Sequence, residues 1–135
     1  MKTTKSILVS LVLVLLVSVS AMAQSGAKVI AVINNANWCS VCQKNGERAM
    51  AAFMANNKDG AIQFVANDLT NDDTKKKSSE ELKKLGLDQA ISEYKGTGVA
   101  YFFNSQTKVL ISKVSVAESD QELAEALVTA RKGLK

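Results

Sequence analysis

Two short runs rich in β-branched and small apolar residues, Lys28–Asn35 (KVIAVINN) and Ala61–Asp68 (AIQFVAND), flank one stretch of helical periodicity. The first is apolar at nearly every position. Such a strand belongs in a sheet covered on both faces. Two strands joined through a helix cannot form a hairpin. They pair in parallel through a crossover. In the intervening helix, Val41, Met50, Phe53 and Met54 share a face, Gly46 is a weak point, and Asn56, Asn57, Asp59 and Gly60 supply a stop.

The remainder completes a single domain. Ser78 and Glu81 fit a capping box, Leu82 and Leu85 give an apolar edge, and Gly86 suits a helix end. Asp88 starts a short further helix toward Tyr94. The Lys75–Lys77 run reads as a solvated face. Val99–Asn104 and Lys108–Val116 read as a hairpin around Ser105-Gln106-Thr107, with Lys113 suited to an edge strand. Ser119 and Glu122 cap the last helix. Leu123, Leu127 and Ala130 form its stripe, and Gly133 stops it. The predicted fold is α/β: a β-α-β unit followed by a β-β-α unit, making a central mixed four-stranded sheet with helices on both faces. Phe53, Phe64, Tyr101, Phe102 and Phe103 are expected in the core or sheet, with Met50 and Met54 filling gaps.

Residues 1–23 are set apart. Lys2 and Lys5 precede an apolar run from Ile7 to Val19, and Ala21-Met22-Ala23 follows. This is the pattern of a secretory signal peptide, with cleavage expected after Ala23. Residues 24–135 then form the mature domain, with no stable membrane insertion. Gln24 in place of cysteine at the cleavage point argues against a lipid anchor. Of the formal net charge of +4, two charges belong to Lys2 and Lys5. With no Arg-rich patch and few aromatics, nucleic-acid binding is not indicated. A periplasmic or secreted location is expected, and disulfides persist there.

The only cysteines are Cys39 and Cys42, in Asn37-Trp38-Cys39-Ser40-Val41-Cys42. Cys39 falls where the first helix begins. Free backbone N–H groups and the positive helix end favour a thiolate there. The spacing places Cys42 about one turn away, close enough for a disulfide. Cys39 is expected to be the more exposed sulfur and Cys42 the covered one, which suits a nucleophile and a resolving thiol. Three readings remain at this point. The pair is a redox dithiol, half of a metal site, or part of a non-catalytic interaction module. A metal site wants four ligands, the chain has no histidine, and two chains would have to share the ion.

A Cys-x-x-Cys beside a β-α-β pattern resembles a thioredoxin-like redox motif. Trp38-Cys39-Ser40-Val41-Cys42, after Val29–Asn37, resembles the W-C-x-x-C site of the thioredoxin superfamily, and Tyr94–Val109 resembles that family's loop, strand and turn opposite the site. The resemblance runs from Lys28 to Lys132 and is nearest to exported TlpA-type or DsbD C-terminal-type domains. It implies a thiol–disulfide oxidoreductase acting on protein thiols and disulfides, with Cys39 and Cys42 catalytic and forming the redox-active disulfide. Trp38, Thr97, Gly98 and Val99 would be the docking surface. No cofactor or metal is implied, an electron donor is required, and a monomer is expected.

Several positions depart from that pattern. Where the family has a cis-proline after Gly-Thr, this chain has Gly96-Thr97-Gly98 and contains no proline at all. A cis bond before a non-proline residue costs about 3–4 kcal/mol, so a trans Thr97–Gly98 bond is predicted. The family's buried aspartate corresponds to Ile33. Its lysine partner has no counterpart at Gln63 or Phe64, and Val41 replaces the proline between the cysteines. With only the helix terminus acting on it, Cys39 is expected to be moderately acidic and the potential reducing or intermediate.

Overall fold

The computed structural model describes residues 26–134. The expected signal peptide, residues 1–23, lies outside them. Four strands and four helices follow in the order β1 (Val29–Asn35), α1 (Ser40–Ala55), β2 (Ile62–Asp68), α2 (Asp72–Lys84), α3 (Asp88–Ser92), β3 (Val99–Asn104), β4 (Leu110–Ser115) and α4 (Asp120–Lys132). The sheet order is β2-β1-β3-β4. β1 and β2 are parallel, with Val29 opposite Ile62, while β1–β3 and β3–β4 are antiparallel. The alternation of strand, helix and strand forces this outcome, because a helical crossover returns the chain in the same direction.

β1 and β3 are central, and their two-residue side-chain period divides the core. Val29 and Ala31 of β1 join Ala100 and Phe102 of β3 beneath α1 and α4. Ile30, Val32, Tyr101 and Phe103 point the other way, against Leu82 of α2 and Ile91 of α3. Phe53 of α1 is fully buried, stacked on Phe64 at 5.2 Å between ring centroids and edge-on to Phe102 at 6.3 Å.

Two local expectations are corrected. The buried stripe of α1 is Ala49, Ala52 and Phe53, whereas Val41 and Met54 are exposed. Small alanines let α1 lie close to the sheet, so the larger Val41 and Met54 fall outside the contact. The capping box of α2 is Asn71 with Thr74, not Ser78 with Glu81. Ser78 is buried within the helix, and its hydroxyl accepts the Asp68 backbone N–H at 2.9 Å. Phe64 lies in the sheet as expected, partly buried because β2 is an edge strand.

Other signals hold. Gly86 adopts φ 71° and ends α2. The Leu87 N–H reaches the Leu82 carbonyl and the Gly86 N–H reaches that of Lys83, which is a Schellman closure that needs a left-handed residue. Ser119 and Glu122 cap α4 reciprocally. Lys113 is exposed on β4, the other edge strand.

Candidate active site

The site lies where β1 ends and α1 begins. Cys39 is the N-cap of α1, in extended conformation, and its Sγ accepts the backbone N–H of Cys42 at 3.3 Å. It thus occupies the place that serine or aspartate fills at other helix starts, with sulfur as the acceptor. Cys39 and Cys42 are disulfide-bonded, with Cα atoms 5.3 Å apart. The expected exposure order is reversed. Cys39 is only 6% exposed, whereas Cys42 is partly exposed. The cause is the segment that crosses from α3 to β3. A Cβ on Gly98 would stand 3.7 Å from Cys39 Sγ and 3.0 Å from a Val41 methyl, so Gly98 rests directly on the motif. Gly98 takes φ 73°, a conformation glycine adopts at no steric cost. No cis peptide bond occurs among the described residues, so Thr97–Gly98 is trans, as predicted.

Two ties hold that segment. The Gly98 N–H donates to the Asn34 carbonyl at 2.8 Å, and the Asn34 side-chain amide donates to the Tyr94 carbonyl at 2.8 Å. The Asn34 side-chain oxygen in turn accepts from the Asn67 amide at 2.8 Å. Asn34 is fully buried and Asn67 nearly so. Sequence reasoning did not single out either asparagine. The available signal was the strand period: Asn34 continues the face of Ile30 and Val32, so it had to enter the core and find partners there.

Trp38 is 61% exposed. Its indole N–H donates to the Thr70 carbonyl at 3.2 Å, and the neighbouring Asn37 N–H donates to the Thr70 hydroxyl at 3.0 Å. Thr70 is itself anchored on Asp68, whose carboxylate accepts the Thr70 hydroxyl and, at 3.0 Å, its backbone N–H. The Thr70 hydroxyl, then the Thr70 N–H, hold the Asp68 carboxyl below its ordinary range. A carboxyl with a depressed folded pKa stabilises above its unfolded value, about 3.9, and loses that contribution as pH falls through the folded value. Trp38 is the only tryptophan, so its emission reports this anchor. Emission should stay constant from neutral pH to about pH 4 and shift only below it, and Asp68→Ala should show the shifted emission already at neutral pH. A transition centred above the ordinary carboxylate value would contradict the assignment.

The expected docking residues do not form one surface. Trp38 and Thr97 line a common groove of about 510 Å³ with Leu69, Ile91 and Tyr94. Among the described residues, neither the N–H nor the C=O of Thr97 has a partner. Gly98 is buried, and both its backbone groups are engaged, with Asn34 and Val116. Val99 faces a separate concavity beside Ser112 and Lys113. Cys42 lines two further concavities. One, about 500 Å³, is apolar, between α1 and the β1–β2 edge, and includes Ile33, Met50 and Phe64. The other, about 270 Å³, includes Asn35, Gln43 and Asp68. Among the described residues no group of three or more His, Cys, Asp or Glu side chains is placed to hold a metal ion.

No protein-family model and no curated protein matches this chain. Solved structures do. Trxlp from Edwardsiella tarda EIB202 is 17% identical, with a TM-score of 0.51, and the match covers 82% of this chain and 91% of that one. Thioredoxin f2 from Chlamydomonas reinhardtii is 17% identical over 82% of this chain and 84% of its own, with a TM-score of 0.47. StoA from Bacillus subtilis is 14% identical over 76% and 84%, with a TM-score of 0.49. The Edwardsiella likeness shows the fold: this chain has a thioredoxin-like fold, with a disulfide-bonded Cys-x-x-Cys at the start of its first described helix.

Proposed function

We propose that this protein is an exported thiol–disulfide oxidoreductase that reduces or exchanges protein disulfides through Cys39 and Cys42. One observation carries the reading. The disulfide closes at a helix N-terminus, where the backbone N–H of Cys42 meets the sulfur of Cys39. Opening the disulfide leaves negative charge on sulfur, and this position stabilises it. The dithiol holds both electrons of the exchange, so the reaction calls for no organic cofactor. A protein substrate would lie in the groove between Trp38 and Thr97, with its backbone in reach of the unpaired groups of Thr97. Gly98 would support that groove from beneath, and Val99 would anchor it to β3.

Residues 1–23 would direct export to the periplasm or beyond the cell, on the strength of Lys2, Lys5, the apolar run and the Ala-x-Ala site. The mature protein would act as a monomer free of the bilayer. No helix among the described residues is long and apolar enough to cross a membrane. A thiol donor in that compartment would return the pair to its reduced state.

Insulin reduction by the purified protein with dithiothreitol tests the activity. Precipitation well ahead of the reductant alone, and at the background rate with Cys39→Ser, is the expected result. Background rates for both proteins would refute the reading.

A further inference from the structure

We propose that two copies of this chain associate through the outer edge of β2, antiparallel about a two-fold axis beside Val65, joining their sheets into one. The pairing does not depend on the redox chemistry. It follows from where the backbone groups of β2 point. In a parallel pair, alternate residues turn their N–H and C=O toward the neighbour and away from it. The Ala61 carbonyl accepts the Val29 N–H at 3.3 Å, and the Leu69 N–H donates to the Asn35 carbonyl at 2.7 Å. The odd-numbered residues of this stretch therefore face β1, and Ile62, Phe64, Ala66 and Asp68 turn their groups outward.

Both ends of that edge are closed by side chains. Asn57 imitates a neighbouring strand at Ile62: its oxygen accepts the Ile62 N–H at 3.1 Å, and its amide donates to the Ile62 carbonyl at 2.7 Å. The Ser78 hydroxyl accepts the Asp68 N–H at 2.9 Å. Between them, the N–H and C=O of Phe64 and of Ala66 have no partner among the described residues. The opposite edge of the sheet is defended differently. β4 carries an exposed lysine, Lys113, and a register irregularity at Phe102 and Phe103, two devices that keep an edge from pairing. β2 has neither, since Ile62–Asn67 holds no charge and pairs with β1 in unbroken register.

The open window is complementary to itself. In an antiparallel pair, residues that exchange both bonds alternate with residues that exchange none. With the axis at Val65, Phe64 lies opposite the partner's Ala66 and Ala66 opposite the partner's Phe64. Every free N–H and C=O of the window then finds its acceptor or donor. The side chains agree with this register. Phe64 and Ala66 lie on the α1 face, so a ring meets a methyl group, while Val65 meets the partner's Val65 on the other face. The apolar cavity of about 500 Å³ lined by Met50, Phe64 and Ala66 borders this edge. Met54, one helical turn beyond Met50, is 58% exposed beside it. The N-terminus of the proposed mature chain does not reach the window. After cleavage at Ala23 only Gln24 and Ser25 precede Gly26, a reach of about 7 Å, and Phe64 stands about 10 Å along β2 from Ala61, where β1 begins. A contact confined to one strand edge and its flank belongs to the small, reversible class. The single chain, the form proposed above to act, therefore prevails in dilute solution.

Sedimentation equilibrium of the oxidised protein, from about 5 to about 500 µM, reads a pairing of this class. The weight-average mass should rise from that of one chain toward twice that value, with a single-chain band in denaturing electrophoresis without reductant. Hydrogen exchange at the Phe64 and Ala66 amides should slow as concentration rises. Ala66→Pro removes an outward N–H and leaves the β1 ladder intact. Ala66→Lys places on an exposed position the charge that defends β4. Each variant should weaken association by about tenfold or more while keeping the circular dichroism of the parent, and Ala66→Lys serves alone if the proline variant does not fold. A single-chain mass at every concentration overturns the proposal. So does an association that Ala66→Lys leaves unchanged, or one held by disulfides between chains. None of these outcomes bears on insulin reduction, which tests the oxidoreductase reading separately.

Discussion

Phe53→Ala should lower the stability of this protein by about 3–5 kcal/mol, the range for emptying a buried aromatic site. The ring has no exposed surface and lies between α1 and the sheet, against Phe64 and Phe102. Its loss removes both aromatic contacts and leaves a cavity. Several of its buried companions in the same cluster, Ala49, Ala52 and Ala100, are too short to swing into the space. The cavity therefore persists, which places the cost in the upper part of the range for such substitutions. Domains of this size are held by only about 5–15 kcal/mol, so the variant should be close to unfolding at ambient temperature. Urea denaturation monitored by circular dichroism would show a much lower midpoint with an unchanged slope. A loss below about 1 kcal/mol would mean that the surrounding core repacks freely.

Asn34→Leu should be nearly as damaging, and it acts on the site as well as on the fold. The substitution keeps the branching of the side chain but removes an amide that serves two partners, one buried and one partly buried. The Tyr94 carbonyl loses its donor and the Asn67 amide loses its acceptor. Each group left unsatisfied costs about 1–3 kcal/mol, giving about 2–6 kcal/mol together. The backbone tie from Gly98 to residue 34 survives, so the covering segment is loosened at its Tyr94 end only. In the reduced protein, Cys39 should then react faster with a bulky thiol reagent. Asn34→Leu with Asn67→Leu should recover part of the loss, because removing both members of a buried polar pair costs less than orphaning one. Unchanged stability together with unchanged Cys39 reactivity would show that Asn34 neither supports the core nor holds the cover.

The elements themselves were legible because they follow from local chemistry. The dense apolar run of β1 announced a strand covered on both faces, and Ser119 with Glu122 announced the start of α4. The position of Cys39 at the head of α1 followed from the strand before it and the periodicity after it. The errors have a common origin. Ser78 and Glu81 have the spacing of a cap, but Asn71 and Thr74 lie about two turns earlier and begin the helix first. Val41 and Met54 have the periodicity of a core face, but α1 packs through its alanines. In each case two locally acceptable arrangements competed, and packing selected one.

The amino-acid order alone thus determined the strands, the helices, the parallel crossover and the placing of two cysteines at a helix start. These depend on side-chain period, caps and chain direction, all of which act between near neighbours in sequence. The exposure of the two sulfurs was decided only in three dimensions. Cys39 is sealed by Gly98, which arrives from the segment before β3, and Gly98 is held by Asn34, near the end of β1 that leads into the motif. Cys42 is left open by the concavities on either side of it. Burial is a property of what arrives from distant parts of the chain, and no local pattern around Trp38–Cys42 encodes it.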